Sequence, residues 1–142
     1  MEYTIYCDMD GVLTDFDNRF RYFAGVTPDV YEKENGTEEF WDLIDNKIGI
    51  SFWTNMPWMP QGKKLWSYIK KYKPTILSAP SRNPSSRNGK KKWIQKNIPN
   101  AKLILAARQN KMQYSGENNI LIDDRSDTIE EWKSKGGIGI IF

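Results

Sequence analysis

Ile5-Tyr6-Cys7-Asp8-Met9-Asp10-Gly11-Val12-Leu13-Thr14-Asp15-Phe16 decides how the rest of the chain is read. Tyr3, Ile5 and Cys7 alternate with Glu2, Thr4 and Tyr6, the period of a β-strand. The alternation breaks at Asp8, and Asp10 follows two residues on, so both carboxylates would share one face if the strand continued unbent. Gly11 permits a turn that other residues resist. Two acids are thereby crowded at the carboxyl end of a buried strand, where open α/β sheets carry their sites. Unpaired anions there are costly, which requires a metal, a lysine or both.

Composition narrows the chemistry. The chain has 142 residues, 39% hydrophobic and 13% aromatic, which predicts one globular domain with a real core. It contains no histidine and one cysteine. Catalytic triads, Cys-His pairs and histidine-bound metals are therefore excluded, and Cys7 reads as a buried strand thiol. A metal would have to be held by oxygen, which favours magnesium over zinc. The net charge of +3 is too small to imply nucleic-acid binding, although Lys90-Lys91-Lys92 is a local basic cluster. No apolar run reaches membrane-spanning length and no signal peptide is read at the N-terminus, so a cytoplasmic protein without a membrane partner is expected.

Further elements follow in order. Phe16, Phe20 and Phe23 recur at near-helical spacing until Gly25 and Pro28, and Thr37 is read as the cap of a second helix over Thr37–Ile44. An amphipathic helix is predicted over Lys63–Tyr72, closed by Pro74. Thr75-Ile76-Leu77 is a short buried strand ending in Ser78, which sets a hydrogen-bonding hydroxyl at the strand's carboxyl end. Residues 79–89 read as a long loop, from which Ser81 and Arg82 could touch substrate, and a helix is predicted over Lys90–Ile98. Leu103–Ala106 is a third strand, followed by Arg108 and Lys111. Asn119-Ile120-Leu121-Ile122-Asp123-Asp124 repeats the opening pattern, an apolar strand delivering two carboxylates before a helix at Asp127. Ile138–Phe142 is a final strand.

The stretch Asp8–Phe16 resembles the first motif, D-x-D-G-x-x-x-D, of the haloacid dehalogenase superfamily of phosphohydrolases. Its wording is closer still to the 5'(3')-deoxyribonucleotidase branch. Ser78 at its strand end resembles the second motif. Lys111, with Arg108 close by, resembles the third, for which Lys90, Lys91 and Lys92 compete. Leu121-Ile122-Asp123-Asp124-Arg125 resembles the fourth. Phe52–Gly62 is similar to that branch's return from cap to core, with Met56-Pro57 and Gln61 departing from the pattern.

The resemblance implies a Rossmann-like, doubly wound, mostly parallel α/β sheet. The core would comprise residues 1–16 and 61–142, and a small helical cap residues 17–60. It implies Asp8 as nucleophile, Asp10 as acid and base, Ser78 and Lys111 as phosphoryl-steadying groups, and Asp8, Asp10, Asp123 and Asp124 around magnesium. Phe16, Ser81, Arg82 and Arg108 would face the substrate, Phe16 beside the nucleoside. The implied activity is a magnesium-dependent phosphomonoesterase acting through an aspartyl-phosphate on a small phosphomonoester, a (deoxy)nucleoside monophosphate, with a homodimer also compatible. The alternatives are a nucleotide-binding protein with little turnover and a nucleic-acid end phosphatase using the basic Arg82–Lys92 region.

Overall fold

A computed structural model describes residues 2–142 and resolves two compact units, one of Met1–Thr14, Trp58–Pro80 and Asn100–Phe142, the other of Asp15–Pro57 and Ser81–Pro99. The first unit is built on five strands, β1 (Thr4–Cys7), β2 (Thr75–Ser78), β3 (Lys102–Leu105), β4 (Asn119–Asp123) and β5 (Ile138–Ile141). Every pairing is parallel, in the order β3-β2-β1-β4-β5. The α/β, Rossmann-like sheet expected from the sequence is thus present, with β1 at its centre. Consecutive strands run outward from β1 to β3, and the chain then crosses back to β4 beside β1. The point where strand order reverses therefore lies at the carboxyl ends of β1 and β4.

Register fixes what each face buries. Tyr6 lies beside Leu121, and Leu77 beside Ile104. These side chains join Ile129 and Trp132 of α7 (Ser126–Ser134) in one apolar cluster. Tyr6 meets the Trp132 ring edge-on at 5.4 Å, and Trp132 Nε1 donates to the Asn119 carbonyl, which satisfies the indole as it is buried. The opposite face buries Cys7, Ile76 and Ile122, and ends in exposed Ile138 and Ile140 on β5.

The predicted Lys63–Tyr72 helix is α5 (Pro60–Ile69), continued by a 3-10 turn over Lys70–Tyr72. Pro60 at its first turn supplies the start, and Lys73 in a left-handed conformation, φ 52°, ends the run before Pro74. Gly62 is needed because α5 lies so close to the loop after β1 that a Cβ there would sit 2.8 Å from Leu13 Cα.

The second unit contains α1 (Phe16–Ala24), α2 (Pro28–Asn35), α3 (Thr37–Asp42), a π-helical segment over Leu43–Ile48, α4 (Ile50–Thr54) and α6 (Pro84–Asn97). Its core is aromatic: Phe20, Phe40, Phe52 and Trp53 are buried. Two details differ from the sequence reading. Thr37 opens α3, but Gly36 occupies the cap position and no side chain caps the helix. The helix expected from Lys90 starts at Pro84, because Asn83 accepts a hydrogen bond from the Ser85 amide and proline suits the first turn. Residues 81–99 belong to the same compact unit as residues 15–57. Within that unit α6 packs on α4, where Gly89 lets the backbones approach; a Cβ there would collide with Trp53 and come within 3.2 Å of the Ile50 carbonyl.

Candidate active site

The loop after β1 is held by its own backbone. The amides of Val12, Leu13 and Thr14 all converge on the Met9 carbonyl, and the Gly11 amide donates to the Thr14 carbonyl at 2.9 Å. Gly11 has φ +85°, and a Cβ there would lie within 2.8 Å of the Asp124 carboxyl carbon. The positive φ favours glycine there, and the Asp124 carboxylate occupies the space a Cβ would take. The Thr14 hydroxyl donates to Asp10 Oδ1 at 2.8 Å and fixes that carboxylate on the loop.

The register of β1 and β4 pairs Cys7 with Ile122, so the next residues, Asp8 and Asp123, leave adjacent strands side by side. The Asp8 amide donates to the Ile122 carbonyl, which extends the ladder to the acid itself. Asp8, Asp123 and Asp124 each offer a carboxylate oxygen within 4.8 Å of the other two. Lys111, on the 3-10 segment Arg108–Tyr114 after β3, places Nζ 3.0 Å from Asp8 Oδ1 and 3.0 Å from Asp123 Oδ2. Asp8, Asp123 and Lys111 are buried, whereas Asp124 remains open to solvent. The second oxygen of Asp123 accepts from the Arg125 amide at 3.0 Å.

Charge is unbalanced in this cluster, with three carboxylates facing one ammonium. Burial pushes the Asp8 carboxyl well above its ordinary range, and Asp123 and Asp10 push it further against the pull of Lys111. Asp124, though open to solvent on one side, is also raised, chiefly by partial desolvation against the cluster, with Asp123 adding to it while a hydrogen bond to Asp8 opposes it. Burial lowers the Lys111 ammonium, but Asp8 and Asp123 outweigh this and the net shift is upward. Lys111 thus stays charged, and the surplus negative charge can be met by protons or by a cation. The donors are all hard oxygens, which fits magnesium and disfavours zinc.

Other predicted residues are distributed differently. Ser78, at the end of β2, is buried and its carbonyl accepts from the Ala106 amide. Arg108 is engaged by α7: its guanidinium lies 3.2 Å from Glu131 and 3.5 Å from Asp127. In the second unit, Phe16 is half-buried among Phe20, Phe40, Phe52 and Trp53, with ring centroids 5.4–6.5 Å away. There the Ser81 hydroxyl donates to Asp45 Oδ1 and its amide to Ser86 Oγ, so Ser81 orders its own loop. Arg82 is exposed. Cys7 is fully buried, and burial together with Asp8 and Asp123 drives its thiol far up, which leaves it protonated and inert. The approach of Asp124 to Gly11 was not read from the sequence; the glycine after the first acidic pair is its only sequence signal.

No protein-family model and no curated protein matches the sequence. Solved structures do match its fold. A predicted phosphatase from Clostridium acetobutylicum is similar at a TM-score of 0.58 and 12% identity, over 99% of this chain and 85% of that one. A HAD family enzyme from Bacteroides thetaiotaomicron, solved with magnesium and inorganic phosphate, is similar at 0.54 and 11% identity, over 99% and 94% of the two chains. L-2-haloacid dehalogenase from Xanthobacter autotrophicus is similar at 0.60 and 9% identity, over 98% and 76%. The chain thus has the fold of HAD-family hydrolases and phosphatases.

Proposed function

We propose that this chain is a magnesium-dependent phosphohydrolase of the haloacid dehalogenase superfamily, acting on a nucleoside monophosphate. One observation carries the reading: Lys111 bridges Asp8 and Asp123 at the point of strand-order reversal, with Asp124 completing a ring of hard oxygen donors. The resemblance of Asp8–Phe16 and Leu121–Arg125 to the deoxyribonucleotidase branch narrows the substrate to a deoxynucleotide.

In this mechanism an Asp8 carboxylate oxygen attacks phosphorus in line. The phosphorus–ester oxygen bond breaks, its electron pair leaves with the oxygen, and Asp10 gives that oxygen a proton. The Asp10 carboxylate then takes a proton from water as the water oxygen attacks the aspartyl-phosphate. The Asp8–phosphorus bond breaks, releasing inorganic phosphate and restoring both acids. Thr14 holds Asp10 ready for both transfers. Lys111 orients Asp8 and pulls it toward the charged form against its burial, and with the Ser78 hydroxyl steadies the phosphoryl oxygens. Magnesium, held by Asp8, the Asp10 carbonyl and Asp123, with Asp124 direct or through water, would neutralise charge on the transferring group. Phe16 and Arg82 are assigned to the substrate, Phe16 beside the nucleoside. Arg108 and Ser81, already engaged by Glu131 and Asp45, are assigned lesser parts.

The test is phosphate release with magnesium from ribo- and deoxynucleoside 5'- and 3'-monophosphates. Release favouring deoxynucleotides, lost by about a thousandfold or more in Asp8→Asn, is expected. Normal turnover by Asp8→Asn would overturn the mechanism, and equal turnover of all sugars would overturn the substrate assignment.

A further inference from the structure

Between Asp45 and Glu117 the sequence has no aspartate or glutamate, and all but six of its 21 lysines and arginines (Arg19, Arg21, Lys33, Arg125, Lys133 and Lys135) fall in that interval. Within the first unit this charge concentrates on α5 and the turn that follows it. Lys63, Lys64, Lys70, Lys71 and Lys73 are all exposed, and none is ion-paired among the described residues. Two tyrosines stand among them, Tyr68 69% and Tyr72 54% exposed. Lys71 Nζ lies 5.8 Å from the Tyr68 ring centre and 5.1 Å from that of Tyr72. Lys64 and Tyr68 share a face of α5 at helical spacing, and Lys71 follows on the 3-10 turn over Lys70–Tyr72. A helix face that serves only solvation gains from interspersed acids, which relieve repulsion between like charges. Here there are none, and two large rings remain in water.

We infer that this face docks single-stranded nucleic acid, with the lysines on phosphates and Tyr68 and Tyr72 stacking on unpaired bases. The charge is complementary to a polyanion, and the rings choose among polyanions. A duplex keeps its bases stacked and offers the tyrosines nothing. An anionic membrane would require Trp, Phe or Leu to enter the lipid, and here Leu65 and Trp66 are half-buried while the exposed side chains are lysine, tyrosine, serine, glutamine and Pro60. With lysines in place of bidentate arginines, binding is tolerant of sequence. It also occurs without turnover, so the inference stands apart from the phosphatase reading.

The experiment is fluorescence anisotropy of a labelled oligo-dT of about 20 nucleotides with the full chain, between about 50 and 200 mM salt. Binding is expected, with log K falling against log salt at a slope of roughly −3.5 for five phosphates neutralised. Lys64→Glu with Lys71→Glu should flatten that slope by at least about 1.4. Tyr68→Ala with Tyr72→Ala should weaken binding about thirtyfold or more at unchanged slope. All four residues are exposed, so the variants keep the fold. No binding at the lowest salt, or binding indifferent to both pairs, overturns the inference. Heparin bound as tightly as oligo-dT with no effect of the tyrosine variant leaves a mere cation exchanger and overturns it too. Tighter binding to phosphatidylserine vesicles than to oligo-dT reassigns the face to a membrane.

Discussion

At the scale of single residues, the cluster around Lys111 is built against its own stability. Three carboxylates gather near a single ammonium, and two of them are driven toward the protonated form. Removing an acid and removing the lysine should therefore have opposite effects. Asp8→Asn relieves repulsion and should stabilise the metal-free protein by about 1 kcal/mol, as active-site substitutions that abolish function often do. Lys111→Met strands the carboxylates and should cost about 3–5 kcal/mol at neutral pH. Urea unfolding of both variants in chelator checks this; destabilisation by Asp8→Asn would mean that the carboxylate is fully compensated without metal. The acids themselves were legible in the sequence, because each pair ends an apolar run. Arg108 was less so. It stands three residues before Lys111, and only the path of the 3-10 turn decides that its guanidinium reaches Glu131 on α7.

At the scale of elements, the strands were legible because short β-rich runs between turns have few other fates. The start of α6 was not, since Arg82-Asn83-Pro84-Ser85-Ser86 has the composition of a loop and only the Asn83 cap with Pro84 makes it a helix start. The partner of α6 was also hidden, because a glycine inside a helix is read from sequence as a weakness. Gly89 is instead the point where α6 meets α4. Gly89→Ala improves helix propensity yet forces a methyl onto Trp53 and toward the Ile50 carbonyl, so overpacking should win and cost about 1–3 kcal/mol. Asn88→Ala on the exposed side should change stability by less than about 0.5 kcal/mol. Chemical denaturation followed by tryptophan fluorescence distinguishes the two; a stabilising Gly89→Ala would show that α4 and α6 yield freely.

At the scale of the whole molecule, the same surplus of buried charge ties stability to pH and metal. The folded-state carboxyls of Asp8 and Asp124 lie above their unfolded values. Above pH about 4 the unfolded chain has released protons that the metal-free folded cluster still holds. The folded state then binds more protons, so stability falls as pH rises, from the ordinary carboxylate value up to the raised ones. Lys111 does not offset this slope. Its folded value is raised, so its contribution is fully present below the ordinary lysine value and is lost only as pH climbs through the raised one. Asp127 and Asp29 are lowered and contribute in the opposite sense, but both are fully exposed and screened by solvent. Magnesium competes with the retained protons and binds the folded state alone, which at a hundredfold excess over its Kd adds about 2.7 kcal/mol. The expected result is a melting temperature in chelator that declines as pH rises above the ordinary carboxylate value of about 4, and a magnesium increment that grows over the same window. Asp8→Asn should lose most of that increment and much of the decline. An increment equal at both ends of the window, or intact in Asp8→Asn, would place the cation elsewhere and remove the electrostatic reason for gathering three acids at one end of the sheet.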